Sequence, residues 1–476
     1  MDLEVIIGLE IHAEMNTRTK MFCACSNDNF GKEPNTNVCP ICMGFPGMLP
    51  VANVESIKKG AIAAMALNCE IKKHSKFDRK NYFYPDLPSG FQISQYDEPV
   101  SENGHIEILV EGKKKRIGIR RLHLENDAGK LTHSTQGTLL DFNRAGKPLM
   151  EIVSEPDLRS AKEAKEYAES VQKIVRYSGS SDCDMEKGQM RFDASVSLRP
   201  VGDSKLYPRA EIKNLNSFRS LEASIEREIA KQSEAWEAGT PPTIETTVGW
   251  DEDKGDTHLL REKESAADYR YFPEPDLPPL ELSEEQITEW RKEVPESPLA
   301  VYERFLSEYQ LNEAEARFFS EDSRFARLFE ETAKASKNAK TAASFVGTVL
   351  VSRLKEAGKS LADSPITAQH LTQLIQMIDA GKISNNVAKS SVFEAMMQSG
   401  KMPAQLVEEL GLSQVSDTTA IEELCKKAIE ANPEAVADVK AGKSKAMAAI
   451  VGSVMKESKG KANPQMVNEL LTKLLS

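Results

Sequence analysis

Cys23-x-Cys25, thirteen intervening residues and Cys39-x-x-Cys42 place four thiols on two tight spacings near the start of the chain. Gly31, Pro34, Pro40 and Gly44 supply the reversals that knuckle turns need. Four thiolates brought to one point suit a tetrahedral zinc ion and leave no position open for water, so such a site braces the fold. The paired spacing favours zinc over four unligated thiols. Cysteine is used seven times in all, an odd number crowded toward the N-terminus, which fits metal ligands or core thiols better than disulfides. The isolated Cys69, Cys183 and Cys425 read as small buried side chains.

A second device recurs on separate strands. In the run from Val5 to Glu14, strand alternation sets Leu9 and Ile11 on one face and Glu10, His12 and Glu14 on the other. His123, Glu125 and Asp127 share a face in the same way, Arg191, Asp193 and Ser195 oppose Phe192, Ala194 and Val196, and Arg209, Glu211 and Lys213 alternate with Ala210 and Ile212. Glu151 stands inside the apolar run Leu149-Met150-Glu151-Ile152-Val153. Taken singly, each is the solvated face of a half-exposed strand. If the strands are neighbours, one sheet face collects Glu10, His12, Glu125, Glu151, Asp193 and Glu211 with basic residues beside them. Hard divalent cations carrying a triphosphate relieve the repulsion on such a surface, because oxygen ligands suit Mg²⁺ and Lys or Arg neutralises a transferred phosphate.

Other chemistries are missing their signatures. Gly442-Lys443-Ser444 has Ala437, and Gly358-Lys359-Ser360 has Arg353, where a P-loop needs its first glycine. Neither G-x-G-x-x-G nor G-x-S-x-G occurs, which disfavours a dinucleotide-binding enzyme and an α/β-hydrolase. Aromatic residues cluster at Tyr82, Phe83, Tyr84, Phe91 and Tyr96, and again at Tyr269, Tyr271 and Phe272 after Asp268. Interleaved with Lys80, Gln92 and Ser94, these rings suit stacking of a purine or an unpaired tRNA end, or core packing beneath a loop.

The elements that must position these groups follow from length and pattern. With 476 residues the chain has room for roughly three or four domains. Its net charge of −12, from 61 basic and 73 acidic residues, provides no bulk field for a polyanion. No apolar run approaches the ~18 residues of a membrane span, and Met1-Asp2-Leu3-Glu4 lacks the start of a signal peptide, so a cytoplasmic protein is expected. Residues 1–290 carry short alternating apolar runs punctuated by Gly and Pro, with only brief helical patterns, and predict a strand-rich mixed domain. Six prolines from Pro273 to Pro298 mark its end, with room for one short helix between them. Helical periodicity fills residues 291–404, as in Leu371, Leu374, Ile375 and Ile378 before Gly381. Residues 405–476 form a small helical tail, in which Asn463-Pro464 starts the last helix. From residue 440 onward it holds seven lysines (Lys440, Lys443, Lys445, Lys456, Lys459, Lys461 and Lys473) against Glu457 and Glu469 alone, a local basic face.

Several long blocks now resemble one family. Gly8-Leu9-Glu10-Ile11-His12, the block from Pro34 to Cys42, residues 76–86 with Arg79-Lys80-Asn81-Tyr82, Glu151-Ile152-Val153-Ser154-Glu155-Pro156-Asp157, Lys213-Asn214-Leu215-Asn216-Ser217 and residues 268–276 resemble, in order, the signatures of the GatB/GatE family. The tail resembles the YqeY family through Gly442-Lys443-Ser444-Lys445-Ala446-Met447 and residues 459–464.

The resemblance implies an α+β fold: a glutamine-synthetase-like cradle with an antiparallel sheet, then an all-α domain and a YqeY-like tail that binds tRNA. It implies a ligase that uses ATP and Mg²⁺ to phosphorylate the side-chain carboxylate of Glu-tRNA(Gln), Asp-tRNA(Asn) or both. Ammonia released from glutamine by a partner amidase, the A subunit, then displaces the phosphate, in a heterotrimer completed by a small C subunit. Glu10, His12, Glu125 and Glu151 match the family's catalytic, metal-binding core. Lys80, Tyr82, Gln92, Ser94, Asp193, Glu211 and Lys213 are expected to hold ATP and its metal, and Cys23, Cys25, Cys39 and Cys42 a structural Zn²⁺. The competing expectation is a non-catalytic, zinc-braced tRNA-binding scaffold of the same complex, which leaves Glu10, Glu125 and Glu151 without a purpose.

Overall fold

The computed structural model describes residues 2–135, 137–263, 269–412, 418–440, 446–458, 462 and 464–475. Asp268, Lys443, Lys445, Lys459, Lys461 and Asn463 lie outside the described residues. The chain divides into two compact units, Met1–Ala300 and Val301–Ser476.

The first unit is an α+β structure. In chain order its strands are β1 (Leu3–Glu14), β2 (Glu70–Ile71), β3 (His74–Ser75), β4 (Asp78–Asn81), β5 (Phe91–Ser94), β6 (Ser101–Val110), β7 (Lys113–Asn126), β8 (Lys130–Ser134), β9 (Gly137–Asp141), β10 (Pro148–Ser154), β11 (Met190–Pro200), β12 (Ala210–Leu215), β13 (Glu245–Asp251), β14 (Asp256–Lys263), β15 (Phe272–Pro273) and β16 (Leu280–Glu281). Nine of them form one sheet in the order β14-β13-β12-β11-β1-β10-β7-β6-β2, antiparallel except for the β12–β13 pair. Its two-residue alternation separates an apolar face, with Ile7, Leu9, Ile11, Leu122, Leu124, Ile152, Phe192 and Ala194 buried, from a polar one.

Helices α1 (Val54–Ala66), α2 (Ala161–Tyr177) and α3 (Phe218–Glu237) cover the apolar face, and α4 (Glu284–Arg291) packs against α1. The expectation of only brief helical patterns in this region is corrected, since α2 runs for 17 residues and α3 for 20. In α2 the buried Ala164, Tyr167, Ala168, Val171, Ile174 and Val175 trace a helical stripe that small residues and interspersed charges dilute in the sequence. Ser160 caps α2 by accepting from the Glu163 N–H, and Ser217 caps α3 through the Ser220 N–H. Close helix–sheet approach needs Gly60, where a Cβ would stand 2.5 Å from Leu124 Cδ2. The short α4 occupies the gap among the prolines.

Three small sheets complete the unit: β15-β4-β5, β16-β3 and β8-β9. The β4–β5 hairpin seats on the end of β7, where Gln92 donates its side-chain amide to the Asn126 carbonyl (2.9 Å) and Asn126 Oδ1 accepts the Ile93 N–H (2.8 Å).

The second unit is helical. Ala368–Asp379 buries Leu371, Leu374 and Ile375, and Gly381 follows with φ +67° as the helix ends. Farther along, Ile421, Cys425, Ala428, Ile450, Val454, Val467 and Leu471 make a core joining the helices Thr418–Ala431, Ala446–Glu457 and Pro464–Leu475. Lys456 and Lys473 are exposed. Among the described residues no helix is long and apolar enough to cross a membrane.

Candidate active site

Strand order and register assemble the polar face. β1 lies between β10 and β11, so His12 is opposite Glu151 on one side and Arg191 on the other, while Glu10 is opposite Asp193. Glu151 in turn faces His123 on β7, and Ser195 faces Glu211 on β12. These pairings sort the acids into two groups whose ligand atoms lie within 4.8 Å of one another, His12 with Glu125 and Glu151, and Glu10 with Asp193 and Glu211. His12 Nε2 stands 3.3 Å from Glu151 Oε2 and 3.8 Å from Glu125 Oε1. His123 Nε2 makes the matching approaches of 3.3 and 3.8 Å from the other side. In the second group Lys213 Nζ bridges Asp193 Oδ2 (2.8 Å) and Glu211 Oε1 (2.6 Å). Glu14 on β1 and Asp127 just beyond β7 belong to neither group. Glu14 pairs with Lys147 at 2.6 Å, and Asp127 faces Arg191 and Arg144 at 3.4 and 3.5 Å.

The two groups differ electrostatically. Burial works against the charge on Glu151, but His123 and His12 outweigh it and hold the carboxyl well below the usual range. Glu125 is likewise shifted down, burial being overcome by the neighbouring His123 and by Lys80. Glu10 moves up, through burial first and then repulsion from Glu151, with Lys213 opposing. Lys80 and Lys213 are raised although burial disfavours their charge, Lys80 by Glu125 and Glu151 and Lys213 by Asp193 and Glu211. His123 is also raised against its burial by Glu151 and Glu125. The carboxylates of Glu125 and Glu151 are thus held ionised beside the ammonium group of Lys80 in a water-poor face. Carboxylate oxygens and imidazole at this spacing fit one hard divalent ion per group, each needing oxygens about 2.1 Å from a common centre.

A cleft of about 340 Å³ opens over these groups, lined by Glu10, His123, Glu151, Glu211, Lys80, Lys213, Arg121, Arg209, Arg261, Tyr269 and Tyr271 among others. Lys80 Nζ lies 5.1 Å from the Tyr269 ring, and Tyr82 packs edge-on against Tyr269 at 6.1 Å. Ser94 Oγ donates to Glu125 Oε2 (3.2 Å) from a buried position, and Gln92 spends its amide on β7, so both brace the strand that carries Glu125. His123 is visible in the sequence as a face-mate of Glu125 but carries no assigned role there, and continuing that alternation to Arg121 reaches another cleft residue. Arg261 has no sequence signal, because only the edge pairing of β14 brings it in.

Cys23, Cys25, Cys39 and Cys42 bring their sulfurs within 4.8 Å of one another. Gly44 (φ +65°) closes the second turn, where a Cβ would meet Ser89 at 2.6 Å. The Cys42 sulfur accepts the Cys39 N–H (3.2 Å) and lies 3.7 Å from Nζ of the fully buried Lys20. A hydrogen bond from the Cys23 thiol, with the Cys39 N–H and Lys20, pulls Cys42 down to about 5 against its burial. Cys23 is driven up by the same bond, and burial pushes Cys25 up to about 11. Tetrahedral zinc at about 2.3 Å from each sulfur sets them about 3.8 Å apart, a spacing this knuckle accommodates.

The family model described as the GatB/GatE catalytic domain matches residues 5–288, and the model described as the GatB domain matches residues 327–475. The B subunit of the aspartyl/glutamyl-tRNA(Asn/Gln) amidotransferase of Thermoanaerobacter pseudethanolicus is 48% identical over 477 residues, with 100% of each chain covered. Proteins of the same name from Carboxydothermus hydrogenoformans and Persephonella marina are 47% and 48% identical, the former over 99% of this chain and 98% of its own, the latter over 100% of both.

Proposed function

The chain belongs to the GatB/GatE family, and from that premise we propose that it is the B subunit of a tRNA-dependent amidotransferase, a ligase forming a carbon–nitrogen bond with glutamine as amido donor. It acts on Glu-tRNA(Gln), Asp-tRNA(Asn) or both, within a complex that also holds the amidase, or A subunit, and a small C subunit. The observation that carries this reading is the pair of acid groups on one sheet face, flanked by Lys80 and Lys213. Such a face has little to offer a passive scaffold, whereas phosphoryl transfer depends on positioning and charge.

In the first step an oxygen of the aminoacyl carboxylate attacks the terminal phosphorus of ATP, and the bond to the bridging oxygen breaks to release ADP. Mg²⁺ held by His12, Glu125 and Glu151, and by Glu10, Asp193 and Glu211, would neutralise the phosphate charge. Lys80 and Lys213, held cationic by the acids around them, orient the anionic groups from either side. In the second step ammonia attacks the acyl carbon, the carbon–oxygen bond to phosphate breaks, and the nitrogen loses a proton to leave the amide. None of this needs a nucleophilic side chain from this chain. The four cysteines hold structural zinc, and residues 405–476 grip the tRNA body through phosphate contacts. The test is ADP formation by the purified complex with labelled ATP. Release that depends on mischarged tRNA is expected, and binding of that tRNA with no dependent ADP would reduce the protein to a scaffold.

A further inference from the structure

On β4, Arg79 and Lys80 point to opposite faces, and Lys80 lines the cleft. Arg79 grips Glu274 with both prongs, Nε to Oε2 at 2.7 Å and Nη2 to Oε1 at 2.8 Å. The Glu274 side chain is wholly buried, and the guanidinium lies 4.2 Å from the centre of the Phe91 ring. Backbone bonds tie the same segment to β4 on both sides of this pair. Phe272 and Pro273 pair with Arg79 and Asp78, the Glu274 N–H reaches the Phe77 carbonyl (2.8 Å), and the Asn81 N–H reaches the Tyr269 carbonyl (3.0 Å). Residues 269–276 are therefore fixed along their length, and they present Tyr269 and Tyr271 to the cleft. Tyr271 is stacked on Tyr96 at 4.3 Å with the planes 7° apart.

An ion pair on a buried carboxylate adds little net stability compared with apolar residues of similar volume, whereas a bidentate one fixes direction. We infer that Arg79 and Glu274 are positioning residues whose pair holds the Tyr269–Tyr271 wall of the cleft in place beside the acid groups and so limits the access of water to the acyl phosphate. This rests on the phosphorylation reading above. If the wall loosens, water attacks the acyl phosphate in place of ammonia and returns carboxylate and inorganic phosphate, so ATP is consumed without amide. The signature is uncoupling, which a loss of folded protein does not produce because both products fall together.

The experiment uses the purified complex with mischarged tRNA, labelled ATP and ammonium chloride as nitrogen donor, counting ADP formed per tRNA amidated. That ratio is about one when the intermediate is protected from water. Arg79→Lys keeps the charge but loses the fork, and Glu274→Gln keeps the shape but loses the charge. Each is expected to raise the ratio by about two- to tenfold, Arg79→Lys the more because Arg79 Nη2 also bonds Asp276 Oδ2 (3.2 Å), and adding Glu274→Gln to Arg79→Lys raises it no further. Tyr271→Ala, on the wall itself, leaves the ion pair in place and is expected to uncouple as well. An unchanged ratio in Tyr271→Ala, or in folded Arg79→Lys with a lowered melting temperature, would overturn the inference. Wild-type complex that forms no tRNA-dependent ADP would overturn the phosphorylation reading instead, and the inference with it.

Discussion

Replacing Glu125 by Gln keeps the side chain's shape at a position only 1% exposed and removes one charge. In the native site its carboxylate accepts from Ser94 Oγ at 3.2 Å and stands 3.8 Å from both His12 Nε2 and His123 Nε2. It is also the foremost acid holding Lys80 charged. An ion bound beside it would lose one anionic ligand, and Lys80 would be left with Glu151 as its chief counter-charge. Removal of one preorganised electrostatic group from a transferring centre costs about 3–4 kcal/mol in the transition state, or a rate loss of about 10²–10³-fold. The fold favours the ionised form of Glu125, so stability should also fall. The assay follows ADP and amidated tRNA together across a Mg²⁺ titration, with glutamine hydrolysis as the control for an intact complex. Glutamine hydrolysis should survive in part, while both other products drop and the Mg²⁺ requirement rises. Near-normal ADP release and amidation would refute the reasoning and leave these carboxylates as ordinary strand-face residues.

Cys39→Ser should lower thermal stability and zinc content while the folded fraction keeps its turnover, because a closed four-thiolate site offers the substrate no position; metal-replete wild-type protein without stoichiometric zinc or cobalt would contradict this. Ending the chain near residue 404 should weaken tRNA binding and flatten its salt dependence, and an unchanged affinity and slope would count against tail contacts with phosphate. In the helical unit, burial would raise Glu330, but hydrogen bonds from Arg304 (2.6 Å), Lys334 (2.8 Å) and Tyr309 (3.1 Å) pull it down to about 2. A depressed carboxyl stabilises the fold above its unfolded value of 4.5 and loses that contribution as pH falls toward 2. Glu330→Gln should therefore cost about 1 kcal/mol at pH 7 after discounting for solvent, and the gap from wild type should close below pH 4.5 in melting curves.

The sequence by itself determined which side chains share a face. Strand alternation is local, so Glu10 with His12, His123 with Glu125, and Glu211 with Lys213 are legible residue by residue, as is the cysteine spacing. The long resemblance blocks add the family on the same residues. What only the tertiary structure decided is which strands are neighbours. Placing β10 between β1 and β7 is what sets Glu151 between two histidines, and placing β11 and β12 on the other side of β1 gathers Glu10, Asp193 and Glu211 into a separate group. Arg79 and Glu274 are 195 residues apart, and neither is an anomaly in its own stretch of chain. Helices α2 and α3 were hidden by charged residues interleaved with small apolar ones. Strand order, register and long-range ion pairs are fixed by burying the whole apolar face beneath those helices, a global free-energy balance that no local window of sequence contains.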